Sequence, residues 1–310
     1  MKRLFILFFI TAFILYIFSG CTSHNSDGST LKYKNKPVNY LLFEQDDFTV
    51  IKTRAENIKP ETIRSPICSD YVRNLGYYGI NAGFFNTVYR GDKPADADFF
   101  SVSVSWSKED AEKGKEVCEF SIRDPEKVAL GEGPYISRGT LFLYSDDKTG
   151  KYEAGVISAE SCDNVKSQIK LRTGRDYDYI YMIGGGNFYL SEYPNTDDWD
   201  KWREEKYLTE GPLVGETSGT DRSGIGIKEE NGAWHVYLVT SGTNGEKKSK
   251  TLKDLRDLFI SLGCSDAIYL DGDGSSQMRC ADNDGNLIEK PGDNRYIWAM
   301  VRLIKKNEAN

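Results

Sequence analysis

Short apolar runs broken by turn residues recur along this chain, and they restrict its fold more than any other feature. Residues 40–43 and 48–53 flank Glu44-Gln45-Asp46-Asp47, which reads as a hairpin. Residues 99–106 (FFSVSVSW) alternate strictly, 134–144 continue in the same style, and 177–183 (YDYIYMI) run into Gly184, Gly185 and Gly186. Residues 224–227 and 234–239 are two further strands around a turn at Glu230-Asn231-Gly232. Helical patterns are fewer. Residues 61–75 have mixed helical character, broken by Pro66 and stopped by Gly76; 165–171 suit a short helix; 197–205, acidic with Trp199 and Trp202, suit an exposed loop or short helix. The clearest helix starts at Thr251, an N-cap with Asp254 three residues on. Leu252, Leu255, Leu258, Phe259 and Leu262 make one apolar stripe, and Gly263 ends it. A strand follows at 267–270. With no firm linker after about residue 35, the pattern predicts a single α+β domain, a mixed β-sheet core with flanking helices. A chain of 310 residues, 39% hydrophobic with 15 Phe and 19 Tyr, is ample for a packed core and unlike a disordered one.

The first residues read as an export signal. Lys2 and Arg3 precede a mostly apolar stretch, 4–18, too short for an easy membrane span. Phe18-Ser19-Gly20-Cys21 resembles the lipobox of bacterial lipoproteins, which makes Cys21 the expected lipidated first residue of the mature chain. The expected organisation is a signal at 1–20, a polar tether at 21–38 and one domain at 39–306, anchored in the cell envelope by lipid.

Charge and composition exclude several function classes. Net charge is −7, and removal of Lys2 and Arg3 with the signal takes it to −9, with no basic stripe for a nucleic acid. Any bound anion must be met by a few placed arginines. The only histidines are His24 and His235; His24 falls in the tether and His235 in a strand-like run, so His-rich zinc sites and most His relays are excluded. The five remaining cysteines, Cys68, Cys118, Cys162, Cys264 and Cys280, contain no C-x-x-C pair, and an odd number leaves at least one unpaired.

Four polar or Gly-rich breaks beside apolar runs carry the chemistry. At the end of strand 267–270 stands Asp271-Gly272-Asp273-Gly274-Ser275-Ser276, a carboxylate and hydroxyls on a loop whose glycines admit a ligand close to the backbone. An EF-hand would need Gly at the sixth position, where Ser276 stands. A looser calcium or other divalent site on Asp271 and Asp273 stays open, as does a plain tight turn. Asn81 opens N-A-G-F-F, 81–85, and its amide suits a sugar hydroxyl or phosphate oxygen. I-G-G-G-N-F, 183–188, has a phosphate-cradling look without Walker or dinucleotide spacing. Arg222, in R-S-G-I-G at 222–226, offers a planar fork for a phosphate.

Taken in order, NAGFF, GGG, RSGIG, a helix ending in Ser261-Leu262-Gly263, LDGDGSS at 270–276 and an arginine before an apolar strand, 295–303, resemble the phosphodiester glycosidase family. The chain departs from the family pattern at Asp273, where the family has glycine, and at Gly224, where it has alanine. The resemblance implies hydrolysis of a sugar C1–O–phosphate bond in a glycan or glycoconjugate, with no cofactor required. It assigns Arg222 to the phosphate and Asp271 to the anomeric carbon, as nucleophile or general base. Asn81, Asn187, Ser275 and Ser276 would orient substrate, and the N–H groups of Gly185, Gly186 and Gly274 would cradle its oxygens. The competing class is a non-catalytic lipoprotein that binds glycan or glycan phosphate, with Trp199 and Trp202 as stacking surfaces.

Overall fold

Alternation and turn chemistry resolve into antiparallel strands. The structure, a computed structural model, describes residues 39–89, 97–101, 105–107, 138–146, 150–159, 162–174, 181–210, 214–241 and 249–304. In chain order the strands are β1 (Leu41–Gln45), β2 (Phe48–Arg54), β3 (Ile58–Ser65), β4 (Gly79–Asn81), β5 (Phe85–Tyr89), β6 (Ala97–Ser101), β7 (Ser105–Ser107) and β8 (Arg138–Asp146). They continue with β9 (Lys151–Ala159), β10 (Tyr181–Asn187), β11 (Ser223–Glu230), β12 (Ala233–Ser241), β13 (Asp266–Tyr269), β14 (Met278–Ala281), β15 (Leu287–Lys290) and β16 (Ile297–Leu303). The α-helices are α1 (Asp70–Leu75), α2 (Cys162–Thr173), α3 (Trp199–Trp202) and α4 (Leu252–Ser261).

A large sheet runs β1-β2-β12-β11-β13-β10-β8-β9, with β7 also on β10; a smaller one runs β15-β14-β4-β16-β3; β5 and β6 pair separately. Sheets and helices in one domain are the α+β class expected, and each pairing between described strands is antiparallel. One core lies between the two sheets: Ile51, Leu141, Ile183, Ile225 and Ile268 face Ile80, Met278 and Val301. The other face of the large sheet is covered by α4, whose Leu255, Leu258 and Phe259 pack with Phe188, Trp202 and Tyr269. Each such side chain contributes roughly 1.5–3 kcal/mol on burial. The α4 N-terminus carries the expected capping box, Thr251 with Asp254. The 46–47 hairpin turn takes two left-handed aspartates, Asp46 and Asp47, a conformation Asp tolerates better than most residues.

Three expectations change. Residues 61–65 are strand, not helix, because Pro66 drives its predecessor extended and β16 supplies the pairing; helix begins only at Asp70, capped by Ser69. Residues 184–186 are not a loop. They lie inside β10, wholly buried, and the main chain ladders onto β8 and β13. The glycines are there for packing: a Cβ on Gly186 would lie 1.8 Å from the Tyr269 ring, and one on Gly185 2.4 Å from the Tyr269 carbonyl oxygen. Trp202 is no stacking surface either, being fully buried against Phe188 and Tyr207, with its indole N–H on the Asn187 carbonyl.

His235 is a part-buried residue of β12. Cys68, Cys264 and Cys280 are buried and unbridged. No helix among the described residues is long and apolar enough to cross a membrane. The signal, Cys21 and the tether lie outside the described residues, as do residues 108–137.

Candidate active site

The site lies where the chain leaves the large sheet for the small one. After β13 it passes through 270–277 and enters β14. Asn81, at the end of β4, holds this crossing in place. Its Nδ2 donates to the carbonyls of Asp271 (2.7 Å) and Ala82 (3.2 Å). Its Oδ1 accepts from Ser223 Oγ (2.8 Å) and from the Gln277 N–H (3.2 Å). All four hydrogen-bonding positions of the amide are thus used inside the protein. Asn81 is 1% exposed, so it braces the site rather than offering an amide to a substrate. Ser276 belongs to the same buried knot, its Oγ 3.0 Å from Ser223 Oγ. Gln277 extends it, accepting from the Ile67 N–H and donating to the Arg295 carbonyl.

Above the knot opens a cavity of about 360 Å³ lined by Val214, Gly215, Ser218, Thr220, Arg222, Asp271, Gly272, Asp273 and Arg295. Arg222 stands just before β11 and Asp271 two residues after β13, its antiparallel partner, and both line this cavity. Asp271 is buried enough to push its carboxyl up to about 6, with desolvation the largest cause; the Ser275 hydroxyl and Arg295 oppose it, and Asp273 adds to it. Arg295 donates from Nε to Ser275 Oγ (2.7 Å), its Nη2 also reaches that oxygen, and Nη2 lies 3.4 Å from Asp271 Oδ2. Its side chain is 46% exposed, so this guanidinium is presented to the cavity.

Arg222 is used differently from the expectation. Its Nη2 donates to the carbonyls of Gly215 (2.5 Å) and Ser218 (2.7 Å), and its Nε to that of Lys250 (3.0 Å). The fork holds the cavity wall, and Nη1 alone has no bond recorded among the described residues. Burial pulls the guanidinium below its ordinary pKa. Behind it, Lys290 and Asp221 form a buried pair at 3.7 Å, and burial lowers the lysine to about 8.

Of the residues expected at the site, Arg222, Asp271 and Asp273 line the cavity, and Asn81, Ser275 and Ser276 form the network beneath it. Gly274 faces the Asp293 carboxylate, where a Cβ would sit 2.3 Å from Oδ2, and it does not line the cavity. Gly185 and Gly186 are strand residues. Asn187 is 5% exposed and bonded to Ser158 Oγ and the Tyr189 N–H. Asp271 and Asp273 are the two carboxylates on the cavity. Asp273 Oδ1 already accepts from Thr220 Oγ1 (2.8 Å), and no group of three or more His, Cys, Asp or Glu among the described residues converges as a metal site.

The domain thus sets two carboxylates, Asp271 and Asp273, and two guanidiniums, Arg222 and Arg295, on one cavity. A family profile for phosphodiester glycosidases matches residues 77–303, from before β4 to the end of β16. The chain belongs to the phosphodiester glycosidase family. No protein of curated function matches it. Among solved structures, an exported-protein candidate from Burkholderia pseudomallei shares the fold at 11% identity and a TM-score of 0.51, covering 83% of this chain and 73% of that one. A hypothetical protein from Synechocystis aligns at 13% identity and a TM-score of 0.41, covering 86% of this chain; the chain spans 61% of its length. The catalytic domain of zebrafish N-acetylglucosamine-1-phosphodiester alpha-N-acetylglucosaminidase, auto-inhibited by its pro-peptide, aligns at 13% identity and a TM-score of 0.33, covering 81% of this chain and 89% of that one.

Proposed function

We propose that this protein hydrolyses a sugar C1–O–phosphate phosphodiester, with Asp271 at the anomeric carbon and Arg295 at the phosphate. One observation carries the reading: Asp271, Arg295 and the free face of Arg222 line one cavity, and cavities of about 300–1,000 Å³ suit small ligands. A phosphate monoester leaves far more readily than an alkoxide, so the work of the site is to hold negative charge on the phosphate and positive charge on the sugar. Arg295 is the exposed cation suited to the first task. Nη1 of Arg222 is a second donor on the same cavity. Asp271, once ionised, suits the second task, as nucleophile or as base toward water. Overall the hydroxyl of water goes to C1, and the C1–O bond breaks with its electron pair to the bridging oxygen. The phosphate leaves with that oxygen, and the proton of water passes by way of the Asp271 carboxylate to the phosphate or to solvent.

The test is release of free sugar from a panel of alkyl sugar-1-phosphodiesters, followed by NMR. Arg295→Ala is expected to reduce kcat/KM by about a hundredfold while moving Tm little, because an exposed guanidinium contributes modestly to folding. No turnover of any member by the wild-type protein would overturn the reading.

The exported, membrane-held state is part of the same proposal and rests on the leader and Cys21. Cys21→Ala is expected to leave the protein unprocessed or released from the membrane fraction. Unchanged processing and membrane association, followed by fractionation and intact-mass measurement, would sink that part.

A further inference from the structure

Seven described residues other than glycine hold a positive φ, and Asp273 (φ 53°) is the one among them that lines the cavity. Glycine would hold this conformation without a Cβ penalty. The loop does not need the carboxylate for its shape. Two main-chain bonds set it: the Asp273 N–H donates to the Asp221 carbonyl (2.7 Å), and the Ser276 N–H to the Asp273 carbonyl (3.0 Å). The side chain is exposed at the rim, with Oδ1 on Thr220 and no bond recorded to Oδ2. A fixed negative charge is therefore kept, against backbone preference, at the mouth of a cavity whose other exposed charge is the Arg295 cation. Its field reaches inward: it pushes the Asp271 carboxyl up and favours the charged form of Arg222. A left-handed position that glycine would suit better, yet that keeps a carboxylate beside Asp271 and Arg222, points to a function for the side chain.

We infer that Asp273 is a specificity-determining residue that makes the cavity prefer a monoanionic phosphodiester over a dianionic phosphomonoester. The inference rests on the reaction proposed above and deepens it. The substrate diester carries one negative charge. Cleavage of C1–O leaves a phosphomonoester, whose second ionisation near pH 6 makes it mostly a dianion at pH 8. Arg295 attracts both species, the dianion more strongly. Asp273 repels both, again the dianion more, and so removes the advantage the product would otherwise hold. The residue thus favours product release and keeps free phosphate esters from occupying the site. A unit charge a few ångströms farther from the phosphate than Arg295, at an effective dielectric near 20–40, shifts the preference by about fivefold.

The experiment is binding of methyl phosphate and dimethyl phosphate to the full chain at pH 8, by NMR titration, for wild type, Asp273→Gly and Asp273→Asn. Glycine relieves the backbone, and asparagine keeps the side-chain shape while removing the charge. Both variants are expected to improve methyl phosphate binding relative to dimethyl phosphate by about fivefold, and high salt should erase the difference between wild type and variants. An unchanged ratio in both variants, or a change in Asp273→Gly alone, overturns the inference, because backbone rather than charge would then be acting. Turnover is scored separately. A chain that hydrolyses no sugar phosphodiester yet shows the charge-dependent ratio defeats the proposed reaction and leaves Asp273 as a selector among phosphate esters. A chain that turns over with an unchanged ratio defeats only the role of Asp273.

Discussion

Asp271→Asn is expected to abolish turnover and, at neutral pH, to make the protein more stable. The carboxyl ionises near 6 in the folded chain and near 3.9 in an unfolded one. A folded-state value raised in this way means that the native protein holds a proton the unfolded chain has already lost between about pH 4 and 6. The contribution of Asp271 to stability is therefore most favourable below about pH 4, declines as the pH rises to about 6, and stays low above it. Ionised Asp271 costs up to about 3 kcal/mol at pH 8 by that difference; its side chain retains 17% exposure, and solvent trims the figure to about 1–3 kcal/mol. Asparagine keeps the shape and an acceptor for Ser275 and Arg295 without the buried charge. Thermal unfolding at pH 8 and pH 4 checks the sign, with a Tm gain of several degrees at pH 8 that shrinks at pH 4. A less stable variant at pH 8 would mean that Arg295 and Ser275 outweigh desolvation. Wild-type turnover should rise through about pH 6, where the carboxylate forms.

What the sequence revealed of this site depended on whether a residue type has one common use. Asp271 was legible because a carboxylate at the end of a buried strand, on a Gly-rich loop, has few purely structural reasons to be there. The 184–186 glycines were misleading because two physical demands favour the same residue. A loop that cradles phosphate needs no Cβ, and neither does a strand over which a tyrosine ring passes; only the position of Tyr269, more than eighty residues on, separates them. Asn81 shows a similar ambiguity. An amide suits a sugar hydroxyl, but it equally suits four protein partners, on Ala82, Ser223, Asp271 and Gln277, and three of them come near Asn81 only once the sheets are assembled.

The fold was legible where signals were local and redundant. The capping box and apolar stripe of α4 lie within its own short segment, and the 40–53 hairpin within its own. Order in the sheets was not legible. β13 pairs with β11 and β10, which are far off in sequence, and nothing in Asp266–Tyr269 names its neighbours. The wall residues Val214, Gly215, Ser218 and Thr220 gave no signal, since distant partners hold them: Arg222 binds the carbonyls of Gly215 and Ser218, Tyr207 that of Val214, and Thr220 bridges to Lys250 and Asp273. Arg295 was detectable only as an arginine ahead of an apolar strand, and its guanidinium, unlike the buried one of Arg222, is exposed on the cavity.

The three carbonyl bonds of Arg222 decide the second large effect. Arg222→Lys should be costly even though the charge is kept, and the cost should appear in the fold as well as in turnover. The guanidinium spans three carbonyls, those of Gly215, Ser218 and Lys250, with two nitrogens held in one plane. An ammonium is a point donor on a shorter reach and cannot span the same three oxygens. Water can reach these carbonyls, which belong to exposed or half-buried residues, so each lost bond costs about 0.5–1.5 kcal/mol, and a loss of roughly 1–2 kcal/mol follows. The wall at 215–218 loosens with them. Misplacement of a cavity wall by about 1 Å is enough to lower kcat/KM about a hundredfold. Three measurements separate this from simple phosphate binding. Hydrogen exchange at 215–218 should accelerate in Arg222→Lys and stay unchanged in Arg295→Lys. Tm should fall by several degrees in the first and little in the second. The effect of Arg295→Lys should lie mainly in KM and in its dependence on salt. If Arg222→Lys keeps full stability and an unchanged exchange rate at 215–218 while KM rises, Arg222 meets the phosphate through its whole fork, and the three carbonyl bonds give way when substrate binds.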